Sequence, residues 1–266
     1  MAISNSVSAS IAVINLASFM LASGLLVLGF KTPPKTRWAI RIGYFLFAIG
    51  TLTATFHAFI QGSTALLLAA TLAWATVISW FVWRIELVGA FTSPIIAIVL
   101  MSGIFFYANR SAPSALGTDI PIRFHVASAV LGQSFAILAC ALSLLFLWLD
   151  KKLKNRQLAE LPLKFPALST LNSALSATLW IGFVFITLSL LSGAMYTISG
   201  HLIPGVSLLP KISWAILVWV WYLSILVQKA ILGHRPQKVA RQSLFGFLIL
   251  ALSWFGLIFW APWGHS

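Results

Sequence analysis

Acidic residues are almost missing from this chain: four aspartates and glutamates among 266 residues. Charge of either sign is scarce, at 8% of residues, while 60% are apolar and the mean hydropathy is +0.99. Soluble domains carry roughly 25% charged residues. A chain this poor in charge cannot cover a water-facing surface, which excludes a soluble enzyme and a disordered protein. The single cysteine, Cys140, excludes a disulfide framework and a CxxC redox pair, and its apolar surroundings predict a buried structural thiol. The HExxH, Walker and GxSxG motifs of metalloproteases, nucleotide-binding loops and serine hydrolases are also missing.

What is present is long apolar runs. A membrane-crossing helix needs about 20 mainly apolar residues. Eight runs meet that length, at 8–30, 38–60, 64–83, 87–108, 123–149, 172–198, 212–232 and 243–262. None shows the two-residue alternation of barrel strands. The expected fold class is therefore all-α, a polytopic transmembrane bundle of eight helices forming one transmembrane domain over 1–266 with no separate soluble domain. The N-terminus lacks the positive leader of a cleaved signal peptide, and its apolar run is expected to be a retained first helix.

The net charge of +13 is explained by loop placement rather than by nucleic-acid binding. With eight spans, Lys31, Lys35, Arg37, Arg41, Arg84, Lys151, Lys152, Lys154, Arg156, Lys164, Lys229, Arg235, Lys238 and Arg241 fall on one side. Only Arg110, Arg123 and Lys211 fall on the other. The positive-inside rule makes the crowded side cytoplasmic, so both termini are expected outside the cytoplasm. The longest inner loop, Asp150 to Thr170, interleaves basic residues with leucines. It reads either as a stretch along the anionic leaflet or as a solvated linker.

Four of the five histidines then map to the outer side: His57 near the end of helix 2, His125 opening helix 5, His201 in the 6–7 loop and His265 after helix 8. His234 alone is on the inner side. The acids Glu86, Asp119, Asp150 and Glu160 lie in loops or at helix ends, so no carboxylate is expected mid-membrane to relay protons. Imidazole is a common ligand of haem iron. Trp214, Trp219, Trp221, Trp254, Trp260 and Trp263, on helices 7 and 8 or their ends, suit a flat apolar ligand. The same residues also suit a plain interfacial belt. Ala22-Ser-Gly24 and Ser192-Gly-Ala194 read as places of close helix packing.

Several segments resemble cytochrome c assembly membrane proteins of the CcsA/HemX type, in particular short bacterial members with eight helices, over about 38–266. They are Phe124-His125-Val-Ala-Ser-Ala129, Trp148-Leu-Asp-Lys-Lys-Leu-Lys154, Gly182-Phe183, Thr187-Leu-Ser-Leu-Leu-Ser-Gly193, Pro210-Lys211 with Trp214, Trp219 and Tyr222, Trp254-Phe255-Gly256, and His265-Ser266. The resemblance implies a haem-handling protein of the bacterial cytoplasmic (inner) membrane that assists cytochrome c biogenesis at the outer face. By that resemblance His125 and His265 are the outward pair ligating a non-covalent b-type haem, and His57 is a membrane-embedded histidine. Trp214 and Trp260 would pack the macrocycle, with Arg110 or Arg123 on its propionates. The implied partners are haem, membrane lipid, apocytochrome c and a second assembly membrane protein.

Two departures mark this chain. The 6–7 loop, Tyr196 to Pro210, has neither tryptophan nor aspartate where the family has a tryptophan-rich loop, and Val227-Gln228-Lys229 stands where a second membrane histidine belongs. Both point to an accessory, non-catalytic member rather than a complete haem lyase. A small-molecule permease, with Ser93-Pro94 as a kink in helix 4, and a purely structural subunit are the other classes considered.

Overall fold

A computed structural model describes residues 2–31, 37–61, 63–107, 120–156, 166–198, 209–233 and 235–260. Its side chains are described over 11–29, 38–59, 63–102, 120–156, 166–198, 212–233 and 235–252. Among these the regular structure is entirely helical. The helices are α1 (Ala2–Lys31), α2 (Arg37–Gln61), α3 (Thr64–Trp83), α4 (Val88–Tyr107), α5 (Ile120–Lys154), α6 (Leu168–Ile198), α7 (Leu209–Leu232) and α8 (Pro236–Trp260). Six of them hold stretches long and apolar enough to cross a membrane: Ile11–Gly29, Trp38–Phe59, Thr64–Trp83, Ile120–Lys154, Leu168–Ile198 and Ile212–Leu232. The remaining two, α4 with 20 residues and α8 with 25, carry their apolar runs partly in residues whose side chains are not described. The chain is an all-α, multi-pass membrane protein.

Large apolar side chains point outward on many helices, among them Phe59 at 89% exposure and Phe45 at 65%. Such a surface is stable only against hydrocarbon. In hydrocarbon a backbone or hydroxyl group without a partner within the protein is costly. Thr51, Thr55, Thr76, Ser134 and Thr187 do so by donating to the carbonyl four residues back in their own helices, at 2.7–2.8 Å.

The helix ends follow local rules. Ser63 caps α3 by accepting from the Leu66 amide, and Arg84 closes it in the left-handed region with its amide on the Trp80 carbonyl. Gly233, with φ of 57°, and Pro236, the first residue of α8, separate α7 from α8. α5 outruns its apolar segment, continuing beyond 149 to Lys154. Lys151, Lys152 and Lys154 favour the negative end of the helix dipole, and Lys154 pairs with Asp150 at 2.7 Å. α4 runs unbroken through Pro94.

The chain divides into two compact units. The first comprises Met1–Ala115 with Leu145–Ala174, the second Leu116–Leu144 with Leu175–Ser266. In the first, α1 packs on α2 and α4, and α3 packs on α2 and α4. The α1–α2 contact is close because small residues line it: a Cβ built on Gly43 would lie 2.9 Å from Leu26 Cγ, and one on Gly50 2.9 Å from Ser18 Oγ. Gly24, in contrast, faces open space, so only Ala22 of the Ala22–Gly24 stretch is a packing residue.

In the second unit α5 meets α6 at Gly132, where a Cβ would lie 2.8 Å from Ile186 Cγ1. Two hydrogen bonds tie α7 to its neighbours: Trp219 Nε1 donates to Thr187 Oγ1 at 2.9 Å, and Trp221 Nε1 donates to the Gln242 carbonyl at 3.1 Å. Cys140 is buried and free.

Candidate functional site

The best-defined site in the second unit is built around His125, in the first two turns of α5. Its Nδ1 lies 2.8 Å from the Ser189 carbonyl oxygen of α6, with the Ser189 and Ser192 hydroxyls at 3.5 Å. A carbonyl only accepts, so Nδ1 must carry the proton and donate it. That leaves Nε2 as the nitrogen with a lone pair, the tautomer a metal ligand needs.

The ring reaches this carbonyl because position 193 has no side chain. A Cβ there would stand 2.8 Å from His125 Cε1 and 3.0 Å from Nδ1. Ser192-Gly-Ala194 is thus more than a helix-packing stretch: its glycine makes room for the imidazole. Ser189 and Gly193 were not distinguishable from ordinary packing residues in the sequence. The one available signal was their place in the Thr187–Gly193 segment.

One and a half turns from Gly193, Thr187 accepts from Trp219, whose ring also lies against Phe183 with centroids 5.7 Å apart. Trp219 and Trp221 therefore brace helices. Trp214 differs: it is half-buried, and its indole nitrogen has no hydrogen-bond partner among the described residues.

His57 lies in the other unit, in the last turns of α2. It is 2% exposed, and neither ring nitrogen has a partner among the described residues. A buried imidazole with both nitrogens unsatisfied is costly in hydrocarbon, which is why such residues usually mark a site. Both histidines thus offer what haem iron binds: His125 a fixed lone-pair nitrogen, His57 a desolvated ring whose nitrogens are uncommitted. The residues fit the group.

His265, His201 and His234 lie outside the described residues, as do Arg110, Asp119, Glu160, Trp263 and the leucine-bearing loop at 157–165. Trp254 and Trp260 belong to α8 with their side chains outside the described set. Arg123 is exposed on the first turn of α5. Gln228, in the Val227–Lys229 segment, accepts from Gln242 Nε2 at 2.8 Å, an amide pair joining α7 to α8. Among the described residues no group of three or more histidine, cysteine or carboxylate side chains is arranged for a metal ion.

Comparison with known proteins adds a family. A sequence profile described as "Cytochrome C assembly protein" matches residues 57–264. The chain is 27% identical over 132 residues to "Inner membrane protein YpjD" of Escherichia coli K12, covering 50% of this chain and 49% of that protein. It thus spans about half the length of that relative. It is 26% identical over 212 residues to "Cytochrome c biogenesis protein CcsA" of Guillardia theta (69% of this chain, 67% of that protein). With the CcsA of Heterosigma akashiwo it shares 25% over 228 residues (70% and 68%). No solved structure matches significantly.

Proposed function

The chain belongs to the cytochrome c assembly protein family, and from that premise we propose that it is an inner-membrane haem-holding protein assisting cytochrome c biogenesis. The observation that carries this reading is the His125 imidazole, seated over Gly193 with Nδ1 donating to the Ser189 carbonyl. A histidine held in one tautomer, with its second nitrogen left basic, is prepared for a metal.

In this reading His125 and His265 ligate a non-covalent b-type haem at the outer face, and His57 is a separate, membrane-embedded histidine of the haem-handling path. Haem supplies an iron centre that accepts nitrogen ligands and changes redox state. Serine and glycine of α6 orient His125. Trp214, whose indole N–H has no partner among the described residues, and Trp260 offer aromatic surface to the macrocycle, and Arg123 and Arg110 offer cations to its propionates. The fourteen basic residues on one set of loops support an orientation with His125 and both termini outside the cytoplasm. Apocytochrome c and a second assembly membrane protein are the partners this role requires.

The protein is proposed to be accessory rather than a complete lyase. The support is the Gln228–Gln242 pair in place of a histidine, together with a 6–7 loop free of tryptophan and aspartate.

The test is a reduced-minus-oxidised absorption spectrum of the full-length protein purified in detergent from haem-replete cells. A Soret band is expected that is lost in His125→Ala and His265→Ala and retained in the inner-side control His234→Ala. A wild-type protein without chromophore, or one whose band survives both outer substitutions at normal expression, would overturn the reading.

A further inference from the structure

The α1–α2 seam holds a second buried polar residue that matters for His57. Asn15 of α1 is fully buried, and both atoms of its carboxamide lack a hydrogen-bond partner among the described residues. It precedes residue 57, where the family match begins. Thus four of the seven orphaned polar side-chain atoms among the described residues of this unit belong to Asn15 and His57, the others being the hydroxyls of Tyr44, Ser79 and Ser93.

Their relative position follows from the register of the two helices. Gly29 meets Ile40, Gly43 meets Leu26, and Gly50 meets Ser18 and Phe19, a constant antiparallel pairing. On α1, Asn15, Ala22 and Gly29 recur every seven residues; on α2, Gly43, Gly50 and His57 do the same. Seven-residue spacing keeps a row of side chains on one seam between two helices. Carried outward by one step, the register sets Asn15 level with Ala54, and His57 level with Ala12 and Ile11. The two polar residues end the two rows, offset by three residues, or about 4.5 Å along the axis.

Helical side chains lean toward the N-terminus of their own helix. On α1 that leans Asn15 outward, toward the level of His57. On the antiparallel α2 it leans His57 inward, toward the level of Asn15. By this rule the two side chains lean toward one another without a direct hydrogen bond, along two rows whose other members are alanine and glycine.

We infer that Asn15 is the positioning residue of His57: its carboxamide oxygen accepts from one buried water that in turn accepts from one imidazole N–H, and this bridge fixes which ring nitrogen keeps a lone pair. Each partner supplies what the other lacks, since an acceptor selects the N–H tautomer just as the Ser189 carbonyl does for His125. One water suffices for such a gap, because a buried water joins two to four polar groups. The role of that lone pair toward iron rests on the haem reading above; the Asn15–His57 pairing does not.

The experiment is magic-angle-spinning NMR of full-length protein labelled with 15N-histidine in lipid bilayers. The His57 ring signals are identified by their loss in His57→Ala. In wild type, a single hydrogen-bonded neutral tautomer is expected for His57. Asn15→Leu should shift those signals or split them into two tautomers, leaving the His125 signals in place. Asn15→Ala, which fits an alanine-lined seam, serves the same purpose where leucine prevents folding. Unchanged His57 signals in either folded variant would overturn the inference, even if haem is bound and lost in His57→Ala. If the His57 signals respond while wild type binds no haem, the pairing stands and the haem reading fails. If both hold, Asn15→Leu should also weaken haem retention by roughly ten- to a hundredfold, as loss of an orienting partner does at other metal sites.

Discussion

The two helix pairs that carry the membrane-side histidines are built alike and finished differently. α1–α2 and α5–α6 both approach closely at glycines, and α2 and α5 each carry a histidine, His57 buried and His125 on the α6 carbonyl. In α5–α6 the ring is half-buried, bonded to a main-chain carbonyl and fitted over a glycine. In α1–α2 the ring is fully buried, with no bond to a described residue. A main-chain acceptor comes with any helix once a glycine lets the ring reach it, whereas a buried ring that reaches no carbonyl needs a polar side chain or a water. The difference shows that the histidine alone does not make the site. The residue opposite it decides the tautomer.

Removing the imidazoles themselves should have the largest effect. His125→Ala is expected to abolish the Soret band of purified protein. His57→Ala is expected to alter the spectrum, and an unaltered one would remove His57 from the haem reading.

Next in size is the glycine under the ring. Gly193→Leu should force His125 off the Ser189 carbonyl and cut haem retention by roughly ten- to a hundredfold. Overpacking should add a destabilisation of about 1–3 kcal/mol, read from thermal unfolding in detergent. Retention equal to wild type would show that the seat over α6 is irrelevant to binding.

In the first unit the matching change is Gly50→Ala, whose Cβ would meet Ser18 Oγ at 2.9 Å and Phe19 Cε2 at 3.0 Å. A loss of about 1–3 kcal/mol is expected there. Gly24→Ala faces open space and should instead raise stability by up to about 1 kcal/mol. Equal effects at the two glycines would contradict the packing described for α1.

The smallest effect is expected from Trp219→Phe. It keeps the aromatic contact with Phe183 and deletes the bond to Thr187, at a cost of about 0.6 kcal/mol, the typical value for a hydrogen bond between membrane helices. The haem spectrum should not move, since Trp219 braces α7 on α6 and offers no ligand.

Much of the architecture was legible in advance. Each of the eight apolar runs falls on one of the eight helices, although α1 begins six and α8 seven residues before its run, because hydrocarbon imposes one length and one backbone conformation on every span. The exceptions are instructive. α5 continues past Leu149 because lysines at a helix C-terminus are favourable even where lipid ends. Glycine was harder to read: Gly24, Gly50 and Gly193 look equivalent along the chain, yet one faces open space, one a serine and a phenylalanine, and one an imidazole. Hydropathy is blind to this distinction, since it counts what a residue is and not which neighbour it meets. The same holds for Asn15, which reads as an isolated polar residue in an apolar run until α2 is laid beside it.

What the chain determined by composition alone is its medium, its helix count and the asymmetry of its loops, since each is set by the cost of placing single residues in hydrocarbon or water. The tertiary structure decided the rotation of each helix about its axis and its register against the next. Those two quantities depend on paired surfaces rather than single residues. They select which nitrogen of His125 holds its proton, and they set Asn15 three residues from the level of His57 along the α1–α2 seam.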